Sequence, residues 1–233
     1  MSVRRGRRRK LLIAVLAAVV LAGAGLLAGP PLYASWVNSK TKAPPKLEGR
    51  AGGSGPFAAS ALSGAWTVGG SSFAGYRVKE VLRGNDVTVT GRTSRVRGAL
   101  RLADAELTTA RFSVDVAGIK TSESTRDAYF RGEELLDTDR YPKATFALTE
   151  PVDVAALADG RAHAVRLRGD LTVHGVRRAV SFTARAKAGP DRAKIVGSIP
   201  VTFQDYGIRA PSLGYVKVEK QGSVEFSLSA APS

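Results

Sequence analysis

The side chains best suited to chemistry in this chain fall in a few short stretches. Arg126 and Asp127 stand side by side, Tyr141 precedes Pro142, His163 lies in a polar stretch, and Asp170 and His174 sit four residues apart. In an extended strand residues four apart share a face but lie about 13 Å from each other, too far for a direct Asp–His relay. His174 is therefore expected to order the turn at Gly175, His163 to be solvated, and Tyr141-Pro142 to lock a turn, since proline biases its predecessor to extended backbone. Arg126–Asp127 reads as a tie between a helix start and the body of the fold, with contact to a ligand headgroup as the alternative. The chain has 2 His and 0 Cys, which excludes thiolate nucleophiles, cysteine-based metal sites and structural disulfides and leaves no His-rich metal cage. No G-x-S-x-G elbow, phosphate-binding G-x-x-x-x-G-K-[ST] loop or H-E-x-x-H helix occurs. The reading is non-enzymatic, with no catalytic and no metal-binding residue.

The elements that carry these residues are mainly strands. Ala110, Phe112, Val114 and Val116 alternate with Arg111, Ser113 and Asp115. Val165, Leu167, Gly169, Leu171 and Val173 alternate with Arg166, Arg168, Asp170 and Thr172, and Val180, Phe182, Ala184 and Ala186 continue after Gly175. Period two is the mark of strands with one buried face. Turns are expected at Gly84-Asn85-Asp86 and at Gly175, and a C-terminal hairpin about Gln221-Gly222. About eight such strands fit an antiparallel barrel or a sandwich. One segment breaks the period. Thr125 to Leu136 places Ala128, Tyr129, Gly132, Leu135 and Leu136 at helical spacing, with Ser124 or Thr125 available as a cap.

The N-terminus has a different composition. Residues 1–10 hold Arg4, Arg5, Arg7, Arg8, Arg9 and Lys10, and no acid occurs before Glu48. The run from Leu11 to Gly29 is uncharged and would measure about 28 Å as a helix, close to the roughly 30 Å of bilayer hydrocarbon. Residues 11–36 are read as a single-pass signal-anchor in the cytoplasmic membrane. The basic tail stays in the cytoplasm, Tyr33 and Trp36 lie at the far interface, and the rest of the chain is outside. Cleavage of this segment would make the domain secreted instead. Residues 37–63, with Pro44-Pro45 and Gly49, Gly52, Gly53 and Gly55, read as a flexible linker, and 64–233 as the folded domain. The net charge of +15 owes much to the tail, so nucleic acid is not an expected partner.

Three ordered blocks resemble the YceI-like family. The first runs from Ile119 to Phe146 and contains Thr125-Arg126-Asp127, Leu135-Leu136-Asp137, Tyr141-Pro142 and Thr145-Phe146. The second is Gly169-Asp170-Leu171-Thr172-Val173-His174-Gly175-Val176, and the third Phe203-Gln204-Asp205-Tyr206-Gly207-Ile208. The chain departs from the family pattern at Ser71-Ser72-Phe73 and at Tyr76-Arg77-Val78-Lys79-Glu80. The resemblance implies an all-β, eight-stranded antiparallel lipocalin-like barrel with one short helix. It implies a polyisoprenoid or prenyl quinone held inside, and no other cofactor. The residues expected to line that interior are Val78, Leu100, Phe112, Val114, Val116, Phe146, Leu148, Leu167, Leu171, Val173, Val180, Phe182, Phe203 and Phe226, with Arg126, Asp127, Tyr141 and His174 at the rim. The expected function is a membrane-tethered extracytoplasmic carrier of an apolar lipid. The alternative is a non-catalytic surface module that binds cell-wall polymer or a membrane partner through basic outer strands such as Arg166, Arg168, Arg177 and Arg178.

Overall fold

A computed structural model describes residues 29–47, 55–210 and 216–233. Residues 29–40 form a helix, α1. The strands are β1 (Gly64–Leu82), β2 (Asn85–Thr93), β3 (Val96–Ala103), β4 (Glu106–Asp115), β5 (Lys143–Leu148), β6 (Val152–Asp153), β7 (His163–Val173), β8 (Val176–Ala188), β9 (Ala193–Thr202) and β10 (Val216–Pro232), with α2 (Ser124–Arg131) between β4 and β5. The segments reduce to eight antiparallel staves. β2 pairs with the second half of β1 and β3 with its first half, while β5 and β6 follow one another along β4. β1 pairs with β10 and closes the barrel. Closure leaves the outer edge of β2 without a partner strand among the described residues.

Local sequence accounts for the tight turns. Arg83-Gly84, Asp104-Ala105 and His174-Gly175 each have both residues at positive φ. Each joins a directly paired couple: Leu82 with Asn85, Ala103 with Glu106, Val173 with Val176. Such two-residue turns match the right-handed twist of the strands they join. In β1 the register shifts between Gly69 and Phe73, where Ser72 Oγ donates to the Gly69 carbonyl at 2.7 Å and accepts from the Ser229 amide at 2.9 Å. The hydroxyl thus satisfies backbone groups that the bulge leaves out of the ladder.

Several expectations change. Residues 216–232 form one continuous strand, not a hairpin about Gln221-Gly222, because β1 is long enough to pair with both halves. Gly222 is needed there for close approach: a Cβ would lie 2.7 Å from the Phe203 ring and 2.9 Å from the Arg77 carbonyl. The helix stops at Arg131, ahead of the expected Leu136, and Glu123 rather than Ser124 or Thr125 takes the N-cap place without a side-chain cap. Its inward residues are Asp127 and Phe130, while Ala128 and Tyr129 are exposed. His163 is paired with Asp159 at 2.9 Å instead of being solvated. Arg178 lies in the inward phase of β8, opposite Leu171, and reaches over the rim to donate to the Asp205 carbonyl at 2.9 Å.

Most of the expected membrane span lies outside the described residues. No helix among the described residues is long and apolar enough to cross a membrane. Residues 29–36, counted at the end of that span, belong to α1 and face the barrel mouth. Ala34 and Val37 are buried with Val78, Val87 and Val89 on the inner side of the β1–β2 hairpin. The chain then crosses the free edge of β2: Asn38 Nδ2 donates to the Asp86 carbonyl, Asn38 Oδ1 accepts from the Thr88 amide, and Thr41 Oγ1 donates to the Thr88 carbonyl. On the outside Arg77 and Arg92 donate to the carbonyls of Lys42 and Ala43, over the buried Glu225 that both arginines flank. Residues 37–47, read from composition as part of a linker, are therefore laid against the barrel. Their fixed place comes from edge amides and carbonyls of β2, which composition does not record.

Candidate functional site

The barrel interior is apolar and open. At one end it is sealed by Leu62 and Trp66, with Leu157 beside them; Trp66 Nε1 donates to the Leu62 carbonyl at 3.0 Å. Above this base lies a cavity of about 130 Å³. Four phenylalanines from different strands line it: Phe112 and Phe146 with ring centroids 6.2 Å apart, Phe146 and Phe182 at 5.5 Å, Phe182 and Phe226 at 5.9 Å. Three of the rings lie over glycines of adjacent strands. A Cβ at Gly98, Gly169 or Gly197 would stand 2.4–2.5 Å from the rings of Phe112, Phe146 and Phe226 respectively. Glycine in a strand permits this close approach, and rings laid against the wall leave the lumen less filled than rings pointing across it.

Toward the mouth lies a second, larger cavity of about 740 Å³, and Ala74, Val114, Ala144 and Val224 line both. The wide part is walled by β1, by α2 and the turn after it, and by α1 through Gly29, Pro30 and Tyr33. Of the residues expected in the interior, Leu100, Phe112, Phe146, Leu167, Leu171, Phe182 and Phe226 line the deep part, and Val78, Val116, Val173 and Phe203 the wide part, with Val114 in both. Leu148 and Val180 do not line either cavity. They flank Gly169 in one register row, and the Phe146 ring lies over that glycine.

The rim residues separate into two groups. Tyr141 and His174 meet edge to face at 4.8 Å, away from the cavity, and His174 Nδ1 lies 3.1 Å from the Tyr206 carbonyl oxygen, to which its N–H donates. They fix the His174-Gly175 turn. Asp127 is buried, and its Oδ1 accepts from the Thr121 amide at 2.9 Å and the Thr121 hydroxyl at 2.7 Å. It ties α2 to the segment before it. Arg126 alone lines the cavity; its Nη2 is 3.9 Å from Glu80, and its Nη1 is shielded from solvent with no partner.

Of the polar group at the mouth, the sequence reading named Arg126 and missed Tyr76, Glu80, Glu123 and Tyr33. Tyr76 stacks on Phe130 at 4.6 Å, and burial drives its phenol pKa upward. Burial also raises the Glu80 carboxyl, Arg126 opposing the rise and Glu123 adding to it. The Tyr33 hydroxyl of α1 donates to Glu123. Tyr76 and Glu80 share the phase of Val78, so alternation alone could have turned them inward; Tyr33 carries no comparable signal. Among the described residues no cluster of three or more His, Asp or Glu side chains could hold a metal ion.

Residues 66–230 match the model of the YceI-like domain. A UPF0312 protein of Shewanella oneidensis is 28% identical over 142 residues, 56% of this chain and 71% of the relative. One from Vibrio cholerae is 30% identical over 114 residues, 46% of this chain and 57% of the relative. Among solved structures, a polyisoprenoid binding domain from Saccharophagus degradans superposes with a TM-score of 0.58 at 21% identity, covering 72% of this chain and 98% of that domain. BcnA of Burkholderia cenocepacia gives a TM-score of 0.53 at 18% identity, covering 66% and 95%. With the closed barrel, the matched domain and these neighbours together, the chain belongs to the YceI-like family.

Proposed function

We propose that this protein is a non-catalytic, membrane-tethered extracytoplasmic carrier that holds a polyisoprenoid or prenyl-quinone tail in its barrel. The observation that carries the reading is the pair of adjoining apolar cavities, with Ala74, Val114, Ala144 and Val224 in both walls, between the Phe112–Phe226 girdle and the mouth. Burial of a chain in them is worth about 0.8 kcal/mol per methylene, so affinity needs no charged contact. The tether in this reading is the uncharged segment 11–28, which would measure about 27 Å if helical. Gly29 and Pro30 line the mouth, so a span ending there holds the opening beside the bilayer from which a lipid would load. The test uses the full-length chain, extracted in detergent and exchanged to remove free lipid, followed by mass spectrometry of its organic extract. The reading predicts a polyprenyl species near one per chain. An extract without isoprenoid, before and after incubation with prenyl quinones, overturns it.

A second reading rests on the outer wall. Arg97, Arg101, Arg111, Arg166, Arg177 and Arg185 are exposed, and none forms an ion pair among the described residues. This face suits an anionic cell-wall polymer. Salt-sensitive co-sedimentation with such a polymer, lost on reversing these charges, is the result that would favour it.

A further inference from the structure

Two donors at the mouth, a guanidinium nitrogen of Arg126 and the Tyr76 hydroxyl, make no hydrogen bond to the protein. Nη1 of Arg126 is shielded from solvent and has no partner. The Tyr76 hydroxyl sits amid the charges of Arg126, Glu80 and Asp127 and bonds to none of them. A buried donor without an acceptor is costly, and native structures rarely tolerate one without a reason. The charged side chains lining the wide cavity are Arg83 and Arg126 against Glu80 and Glu123, which formally cancel. Arg83 is exposed, while Glu80 and Arg126 are largely covered.

These features favour one class of headgroup. A carbonyl oxygen can accept from Arg126 and Tyr76 and brings no charge to be desolvated. A diphosphate would bring several negative charges beside Glu80 and Glu123, with Arg126 the one enclosed cation among the described lining residues, and repulsion grows as water is excluded. The Tyr76–Phe130 stack adds an aromatic surface suited to a flat ring. We propose that Arg126, Tyr76, Glu80 and Glu123 form a headgroup site that selects isoprenoids ending in an uncharged carbonyl group, a quinone above all, over isoprenoids ending in phosphate. The site rests on the carrier reading and adds selectivity to it. Part of its wall, Tyr33 on Glu123, comes from α1, outside the residues matched by the family domain.

The experiment measures binding to the full-length chain of three probes: an octaprenyl benzoquinone, octaprenyl diphosphate and a headless polyprene of equal length. The quinone is expected to bind at least about tenfold tighter than either of the others. Arg126→Met keeps the stem and removes the donors; it should bring the quinone down to the affinity of the headless chain while leaving that chain unaffected. Glu80→Gln should raise diphosphate affinity severalfold. Tyr76→Phe, a milder change, should weaken only the quinone and carries the test if Arg126→Met does not fold. Diphosphate binding as tightly as quinone, or a quinone preference unchanged in these variants, overturns the site while leaving the carrier intact. Failure of all three probes to bind overturns the carrier reading and this inference with it.

Discussion

Replacing Asp127 distinguishes a structural tie from a ligand contact. Its Oδ1 accepts two hydrogen bonds from Thr121, at 2.9 Å from the amide and 2.7 Å from the hydroxyl. In Asp127→Ala the hydroxyl keeps an acceptor, since Thr121 Oγ1 lies 3.1 Å from the Glu123 carbonyl oxygen and its one proton can turn to it. The Thr121 amide has no such second partner, and an unsatisfied, partly buried donor costs about 1–3 kcal/mol. Loss of a carboxylate from the first turn of α2 adds about 0.3–1 kcal/mol. The expected total is about 2–3 kcal/mol, a fall in Tm of roughly 5–10 °C for a domain of this size. Asp127→Asn retains an oxygen at the same place and loses only charge, so it should cost less than about 1 kcal/mol. Thermal melts followed by circular dichroism read both variants. The reasoning is refuted if Asn is as damaging as Ala, which would make charge the essential property, or if Ala leaves Tm unchanged. An unchanged Tm with lost lipid would place Asp127 on the ligand.

Three further predictions follow from the cavity walls. Ala144 borders both parts of the interior, so Ala144→Phe should obstruct the passage between them and strip the organic extract of long isoprenoid, at an overpacking cost of about 1–3 kcal/mol; undiminished lipid would show that the two parts are not one channel. Gly75→Ala would put a Cβ 1.8 Å from the Gly91 carbonyl oxygen, and because the obstacle is backbone the β1–β2 pairing must shift, with an expected loss of about 3 kcal/mol in denaturant melts. Glu80 gives a pH dependence. Its carboxyl is raised above the unfolded value of 4.5, so the folded state binds more protons just above that pH, and stability present below it is lost as pH rises through the folded pKa. The Tm of Glu80→Gln relative to the parent should therefore be higher at pH 7 than at pH 4, and a gap that is flat or reversed across that range would contradict it.

The legible part of the site was the part written in period two. Phe112, Val114, Leu167, Leu171 and Phe182 announce an apolar strand face, and each lines the cavity. Leu148 and Val180 have the same phase yet do not, because the Phe146 ring folds over the glycine between them. Which ring covers which glycine depends on register between strands distant in sequence. The partners of Arg126 at the mouth were hidden for a similar reason: Glu80 comes from β1, Arg126 from α2 and Tyr33 from α1, and nothing in their spacing links them.

The strand faces, a turn at Gly84 and one at Gly175, the break for one short helix and the family blocks were all legible in the sequence, although the first turn uses Arg83-Gly84 and Asn85-Asp86 already pair in β2. These depend on local backbone geometry and on alternation, which neighbouring residues encode. The closure of β1 on β10, the continuity of residues 216–232 as one strand, and the packing of residues 29–47 at the mouth and along the edge of β2 come from contacts distant in the chain. Alternation says which side of a strand is apolar but not how far the sheet curls. The lumen is the space left when eight such faces meet, and its volume is set by pairings far apart in the chain.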